Sequence, residues 1–167
     1  MNTLIKKSLF VSGAVLFALS VFSPVYADQP VRGSFTASVS SQNILPINAQ
    51  GHILRMAESA GMSKSTSGPF LDGWSVVNKE LNDLTQGNGP SRGHVIFTDG
   101  ANSVTVEWTG MTSTVLAADG TPMTESEGKW SYTAGTGGYT GISGNGSFKQ
   151  IFTSETDYIV TYDGFRN

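Results

Sequence analysis

The sequence contains no cysteine, and only 14% of its residues are charged. Without cysteine the chain has no disulfide, no structural zinc site of the usual thiolate kind and no lipobox-type cysteine for lipid attachment. The formal net charge is −3, and the basic residues beyond the N-terminal region are scattered singly from Arg32 to Arg166. Phosphate recognition needs clustered lysine and arginine, so neither nucleic acid nor an anionic membrane surface is an expected partner.

The N-terminal region has the pattern of a signal peptide, predicted over residues 1–27. Two lysines precede the apolar run Leu9–Phe22, and Val25-Tyr26-Ala27 has the small-residue spacing of a signal peptidase site. The run is shorter than the roughly 20 apolar residues that span a bilayer, although an uncleaved membrane anchor is the alternative. We therefore expect cleavage after this site and export to the periplasm or the medium. No stable membrane insertion is expected after cleavage.

Residues 28–167 are enough for one domain with a real core, and their dominant pattern is period-two alternation. Alternating apolar and polar residues are typical of half-buried strands, and the chain shows no convincing amphipathic helix of about ten or more residues. The predicted strands are Arg32–Ser40, Gly51–Ala57, Gly93–Thr109 as a hairpin turning at Asp99–Asn102, Thr112–Ala117, Lys129–Ala134, Gly146–Thr153 and Thr156–Tyr162. Seven or eight strands with short turns favour an all-β fold, a single antiparallel barrel of about eight strands.

Two segments are less regular. Phe70–Leu84 favours a strand that leads into a polar turn, although a short helix fits some of its apolar positions. Glu58–Pro69 is rich in serine and glycine and has no sustained period. It is predicted to be a long loop, either a mobile surface loop or a lid over a cavity.

The stretch Gly135–Phe148 packs six glycines and two aromatics into fourteen residues. We interpret it as the specialised connection of the barrel, in which Tyr139 and Ile142 lie on one side of a helical turn and plug one end. Its spacing is GxxGxG rather than GxGxxG, and no helix-forming segment follows, so a nucleotide site is not expected. The residues assigned to this connection are Gly135, Gly137, Tyr139, Gly141, Ile142, Gly144 and Gly146.

Two stretches together resemble known proteins. Gly93–Met111 resembles a strand–turn–strand pattern of small exported bacterial proteins of uncharacterised function. Thr136–Phe148 resembles the glycine-rich signature of the same proteins and is also similar to the glycine-rich connection of the allene oxide cyclase and dirigent barrels of plants. The resemblance implies an eight-stranded antiparallel barrel. It implies no catalytic residue, because the matched positions are turn glycines and packing aromatics.

The aromatic residues fall on the more apolar faces of their strands, and most are expected to be core. In an eight-stranded barrel the same face can line a small ligand cavity, and the sequence leaves open whether that cavity is filled. Its candidate lining is Phe97, Glu107, Trp108, Trp130, Tyr132 and Phe148. Glu107 has two open orientations: inside the barrel as a buried acid, or in water with Trp108 inside, which the alternation favours. The two histidines, His52 and His94, have no metal-ligand spacing, and no GxSxG elbow is present, so no metal, cofactor or catalytic residue is predicted.

Three functions remain open at this point. The first hypothesis is an exported, non-enzymatic barrel that binds a small apolar or amphiphilic molecule in its mouth. The second is a structural or interaction protein of the cell envelope. The third is a cyclase- or isomerase-type enzyme acting on a hydrophobic substrate, for which Glu107 is the candidate acid. The oligomeric state is left open.

Overall fold

The computed structural model describes residues 28–167, and the predicted signal peptide lies outside the described residues. Eight antiparallel strands form a closed barrel in which β8 pairs back with β1. The strands are β1 (Gln29–Pro46), β2 (His52–Ser65), β3 (Ser75–Thr85), β4 (Gly89–Thr98), β5 (Ser103–Leu116), β6 (Pro122–Gly135), β7 (Gly144–Phe152) and β8 (Asp157–Arg166). The predicted barrel is confirmed, and closure leaves no unpaired sheet edge. Residues 28–167 contain no helix that is long and apolar enough to cross a membrane.

The strand connections define two ends of the barrel. The plugged end carries the β2–β3, β4–β5 and β6–β7 connections, together with the start of β1 and the end of β8. The open end carries the short turns of the β1–β2, β3–β4, β5–β6 and β7–β8 hairpins. The height of an inward side chain within the barrel is therefore set by how many residues along its strand separate it from one of these ends.

Aromatic side chains fill the barrel because several inward-facing positions opposite them are glycines. A Cβ on any of these glycines would collide with the ring that lies across it. The cross-strand pairs are Gly33 with Tyr162, Gly93 with Trp108, and Gly146 with Trp130. Glycine inside a strand therefore marks a close ring contact here rather than a chain reversal.

Two strand predictions are wrong for related reasons. Gly110 was expected to separate two strands, but β5 runs through it, because the missing side chain makes room for the Phe148 ring. Glu58–Ser65 was expected to be loop, but it is the second half of β2. There Ser59 and Ser63 face inward, and the Ser63 hydroxyl donates to the Leu71 carbonyl of the connection that follows. A Cβ at Gly61 would collide with the Thr36 carbonyl of β1. The strand expected within Phe70–Leu84 is present from Ser75 onwards.

Candidate functional site

Five of the six predicted cavity residues line the barrel interior. They are Phe97, Trp108, Trp130, Tyr132 and Phe148. Their rings meet edge to face, with the Trp108 and Phe148 centroids 5.3 Å apart and those of Trp130 and Tyr132 5.2 Å apart. Such contacts add stability beyond the burial of apolar area.

The space that these rings leave is small. The inner cavity has a volume of about 40 Å³. A single water needs roughly 10–15 Å³ of such volume, so the cavity holds a few waters at most and no organic ligand. The predicted aromatic face is therefore a packed core rather than the wall of a ligand cavity.

Glu107 is the sixth candidate, and it lies outside the barrel. It is exposed on the outer face of β5, opposite His94 on β4, while Val106 and Trp108 on either side of it are buried. The orientation with Trp108 inside is thus the one that the structure has. Glu107 does not line the cavity and is removed from the candidate lining.

The glycine-rich connection lies at the plugged end. It contains one turn of 3₁₀ helix, Gly137–Tyr139, and three of its glycines have φ values of 59°, 81° and 136°, at Gly137, Gly141 and Gly144. Such values are left-handed conformations that favour glycine. Tyr139 and Ile142 are both partly buried against the core.

The plug itself combines two connections. Leu71 and Trp74, from the β2–β3 connection, are buried, and the Phe70 ring lies 4.9 Å from that of Tyr139 and 5.7 Å from that of Trp74. The guanidinium of Arg166 stacks 4.3 Å from the Phe70 ring centroid. The segment considered as a lid is therefore partly strand, and the connection after it seals the barrel at the end opposite the mouth.

The open end forms a wide mouth of about 870 Å³. Apolar side chains line its upper wall, among them Leu84, Met123 and Phe152. Its floor is polar and is formed by Arg55, Glu80, Asn82 and their neighbours. The mouth has ample volume for a small organic molecule.

Between the core and the mouth lies a ring of buried polar side chains, which we call the polar belt. Its members face inward from β2 to β7. They are Ser59, Asn78, Glu80, Asn82, Ser91, Thr112, Ser126 and Gln150.

One half of the belt is centred on Glu80. Arg55, whose side chain is 13% exposed, pairs with Glu80, whose side chain is 3% exposed. Asn78 and Asn82 donate to the two carboxylate oxygens of Glu80, both at 3.1 Å. The Trp108 indole donates to Asn78 Oδ1 at 3.0 Å. Each carboxylate oxygen therefore has a donor from this chain, which is what a buried charge requires.

The other half of the belt consists of hydroxyl groups and one amide. The Thr112 hydroxyl lies 2.7 Å from that of Ser91 and 2.7 Å from that of Ser126. Gln150 faces Ser126 across the β6–β7 pair and lines both the inner cavity and the floor of the mouth. This half of the belt carries no charge.

Three buried tyrosines border the core. Burial raises the pKa of Tyr162 to about 12, and burial also raises the pKa of Tyr132 and of Tyr158. The Tyr162 hydroxyl is buried and has no hydrogen-bond partner within residues 28–167. The Tyr158 hydroxyl accepts a hydrogen bond from Asn78 at 3.1 Å, which joins it to the polar belt.

Neither histidine lines the mouth. His52 Nε2 lies 2.6 Å from Asp83 Oδ1, and His94 is on the outer face opposite Glu107. In the described part of the chain, no three histidine, aspartate or glutamate side chains come together as metal ligands would.

Arg55, Glu80 and Gln150 were not predicted as site residues. A signal for Glu80 is present, because Asn78, Glu80 and Asn82 alternate in phase with Val76 and Leu84 and therefore face the core. Polar residues on an apolar strand face indicate a buried network.

No family model matches the sequence, and no curated protein matches it. Among solved structures, the chain is similar to the pterocarpan synthase dirigent protein GePTS1, at 15% identity and a TM-score of 0.45, over 92% of this chain and 96% of that chain. It is also similar to the pterocarpan synthase dirigent protein PsPTS1, at 12% identity and a TM-score of 0.46, over 84% of this chain and 94% of that chain. Both structural neighbours are thus dirigent proteins, barrels of the kind that the glycine-rich stretch resembles. At these identities the likeness concerns the fold alone.

Proposed function

We propose that this protein is an exported binding protein that holds a small amphiphilic molecule in the open mouth of the barrel. The observation that carries the proposal is the contrast between an interior of about 40 Å³ and a mouth of about 870 Å³. The apolar upper wall suits a hydrocarbon portion, and the polar belt below it suits a head group. Export rests on the signal-peptide pattern of residues 1–27.

A purely apolar ligand is less well supported than an amphiphilic one. The apolar part of the barrel is already filled by its own aromatic side chains, and the accessible volume ends on Arg55, Glu80 and Asn82. An apolar molecule seated on that floor would bury polar groups without compensating hydrogen bonds, which is costly.

The test compares two tryptophan substitutions on one strand. Thr114 faces into the mouth on β5, whereas Thr109 is exposed on the outer face of the same strand. Protein purified from its own host is analysed by native mass spectrometry for a co-purifying small molecule. We expect an adduct with the wild type and with Thr109→Trp, and its loss with Thr114→Trp, provided that both variants keep the wild-type circular dichroism spectrum. An adduct that survives Thr114→Trp would place the ligand elsewhere and contradict the proposal.

The interaction hypothesis is favoured by a different observation. Met56 and Met62 on β2 and Ile96 on β4 are 54%, 59% and 37% exposed on the outer face of the barrel. Sedimentation velocity of the wild type and of Met62→Glu, each with and without solubilised envelope, tests this surface. Association that Met62→Glu abolishes would support it, and a wild type that sediments as a lone monomer throughout would oppose it.

The enzyme hypothesis loses its candidate acid, because Glu107 is exposed on the outer face. Glu80 is inside the barrel, but Arg55, Asn78 and Asn82 already occupy its carboxylate oxygens. A general base needs an oxygen within reach of a substrate proton. The oxygens of Glu80 instead accept hydrogen bonds from the chain, so we assign this carboxylate a structural role.

A further inference from the structure

Gln150 is a buried polar side chain whose hydrogen-bonding capacity the fold leaves unused. The residue is 4% exposed, and no side-chain hydrogen bond joins its amide to another residue of 28–167. Within these residues the enclosed polar atoms without a partner are Ser59 Oγ and the Tyr162 hydroxyl, so the Gln150 amide reaches the accessible space of the mouth that it lines. Ser126, which faces Gln150 across the β6–β7 pair, is itself paired, because its hydroxyl lies 2.7 Å from that of Thr112. The amide of Gln150 is therefore available to hydrogen-bond a molecule that occupies the mouth.

Gln150 lies where it can hydrogen-bond the polar head group of a ligand. It lines the mouth from the floor, at the point where the mouth meets the inner cavity. A primary amide presents two donor hydrogens and an acceptor oxygen side by side. The hydroxyl of Ser126, its cross-strand partner, adds a further donor or acceptor at the same level.

The charges of the mouth argue against a charged head group. Its lining contains one basic residue, Arg55, and three acidic residues, Glu80, Glu125 and Glu155. Arg55 is paired with Glu80, and Lys149 neutralises Glu125 at 2.8 Å. Within residues 28–167, no unpaired cation therefore faces the mouth to receive an anion. Glu155 lies on the exposed rim, where solvent screens its attraction for a cation.

We propose that the mouth selects an uncharged head group carrying both a hydrogen-bond donor and an acceptor, a carboxamide or hydroxyl group, and that Gln150 determines this selectivity. The inference rests on the proposed binding function and specifies the chemistry of its ligand. The amide of Gln150 binds the head group, and the hydroxyls of Ser126 and Thr112, which also line the mouth, offer a second set of neutral partners. A site built on neutral hydrogen bonds discriminates against groups that leave those bonds unmade.

The experiment uses four probes with the same eight-carbon tail: octanamide, octyl glucoside, octanoate and octylammonium. Isothermal titration calorimetry measures each Kd, below the micellar concentration, for the wild type, Gln150→Met and Gln50→Met. Gln50 is exposed in the β1–β2 turn, so Gln50→Met makes the same chemical change outside the mouth. We expect the neutral probes to bind the wild type at least about tenfold more tightly than either ion. We expect Gln150→Met to weaken octanamide binding about fivefold to tenfold, as the loss of one hydrogen bond does, and Gln50→Met to leave it unchanged.

The outcomes separate the two proposals. Equal binding of all four probes, tighter binding of an ion, or an unchanged octanamide Kd in Gln150→Met would overturn the head-group inference while leaving a binding mouth intact. If none of the four probes binds the wild type, the binding function itself fails for amphiphiles. The head-group series on the wild type decides the selectivity even if Gln150→Met does not fold.

Discussion

Replacing Glu80 by glutamine should destabilise the barrel severely, because the polar belt requires acceptors on both sides of this residue. Asn78 is locked in one orientation: its Oδ1 accepts from the indole of Trp108, which is only a donor, so its Nδ2 must point at Glu80. On the other side, Arg55 is also only a donor. Glutamine has a single acceptor oxygen, so Glu80→Gln sets its own NH₂ group against either Asn78 or Arg55.

The size of the effect follows from burial. The Glu80 side chain is 3% exposed and that of Arg55 is 13% exposed, so the arginine would become a buried charge without its anion. Removing one partner of such a pair costs about 3–5 kcal/mol. Urea denaturation, followed by tryptophan fluorescence, gives the free energy of unfolding. Glu107→Gln is the matched control, because it makes the same change on the exposed outer face and should stay within about 0.5 kcal/mol of wild type.

A double variant tests the reasoning further. Arg55→Met combined with Glu80→Leu removes both charges and should recover the part of the loss in Glu80→Gln that comes from the unpaired arginine. The recovery should be incomplete, because leucine leaves Asn78 and Asn82 without the carboxylate oxygens to which they donate. A loss below about 1 kcal/mol in Glu80→Gln, or a loss equal to that of Glu107→Gln, would refute the view that this carboxylate is buried and obligatory.

Three further predictions concern single positions. The free energy of unfolding should fall as pH rises from about 10 towards 12, and Tyr162 should contribute roughly 1.4 kcal/mol per pH unit to this fall. The reason is that the folded pKa of Tyr162, about 12, exceeds the ordinary value, so the unfolded chain releases that proton first. Urea midpoints measured against pH should fall less steeply in Tyr162→Phe, and a slope identical to that of the wild type would contradict the prediction. Gly144→Ala should prevent folding or cost several kcal/mol, because φ at Gly144 is 136° and the new Cβ would collide with the Phe165 carbonyl. Gly141→Ala should cost only about 1 kcal/mol, because Gly141 has a φ of 81° and no atom lies close to its Cβ position. Equal thermal midpoints for the two variants would contradict this packing. Leu71→Ala should cost about 2–5 kcal/mol, because Leu71 is 2% exposed in the plug; a thermal shift under 1 °C would mean that the plug is dispensable.

The barrel itself was predictable because its strands repeat one physical pattern. Alternation, turn residues and the lack of helical periodicity all indicate antiparallel strands, and eight of them close without edges. The errors occur where glycine and serine were interpreted as breaks. Gly61 and Gly110 lie within strands because neighbouring strands take up the space where a Cβ would be, the Thr36 carbonyl at Gly61 and the Phe148 ring at Gly110. Ser59 lies within β2 as a fully buried inward residue. That information belongs to the packed barrel and is absent from local propensity.

The candidate site was harder to predict than the fold. The aromatic residues do lie inside the barrel. A periodic pattern indicates which face of a strand points inward, but it does not give the volume of the interior, so it left open whether those rings line a cavity or fill it. The importance of Arg55 and Gln150 arises from partners far away in sequence, since Arg55 meets Glu80 and Gln150 faces Ser126. Such meetings depend on strand register, which a single sequence specifies only weakly.

Side-chain length explains why one end of the barrel is filled and the other is open. Towards the plugged end, inward positions carry Phe97, Tyr132 and Tyr162, whose rings reach across the interior. Beyond the polar belt, the inward-facing positions of β5 and β6 are Thr114 and Thr124, whose hydroxyls lie 2.9 Å apart on the same wall. Their side chains are too short to reach the opposite wall. On β5 and β6 the mouth is therefore open because short residues lie on strands that extend past the core, whereas Leu84 and Phe152 form its apolar wall on other strands. A barrel selected only for stability would continue its apolar filling to both ends, since buried polar groups add little net stability, so the open and polar end is the part of this fold where a function is to be sought.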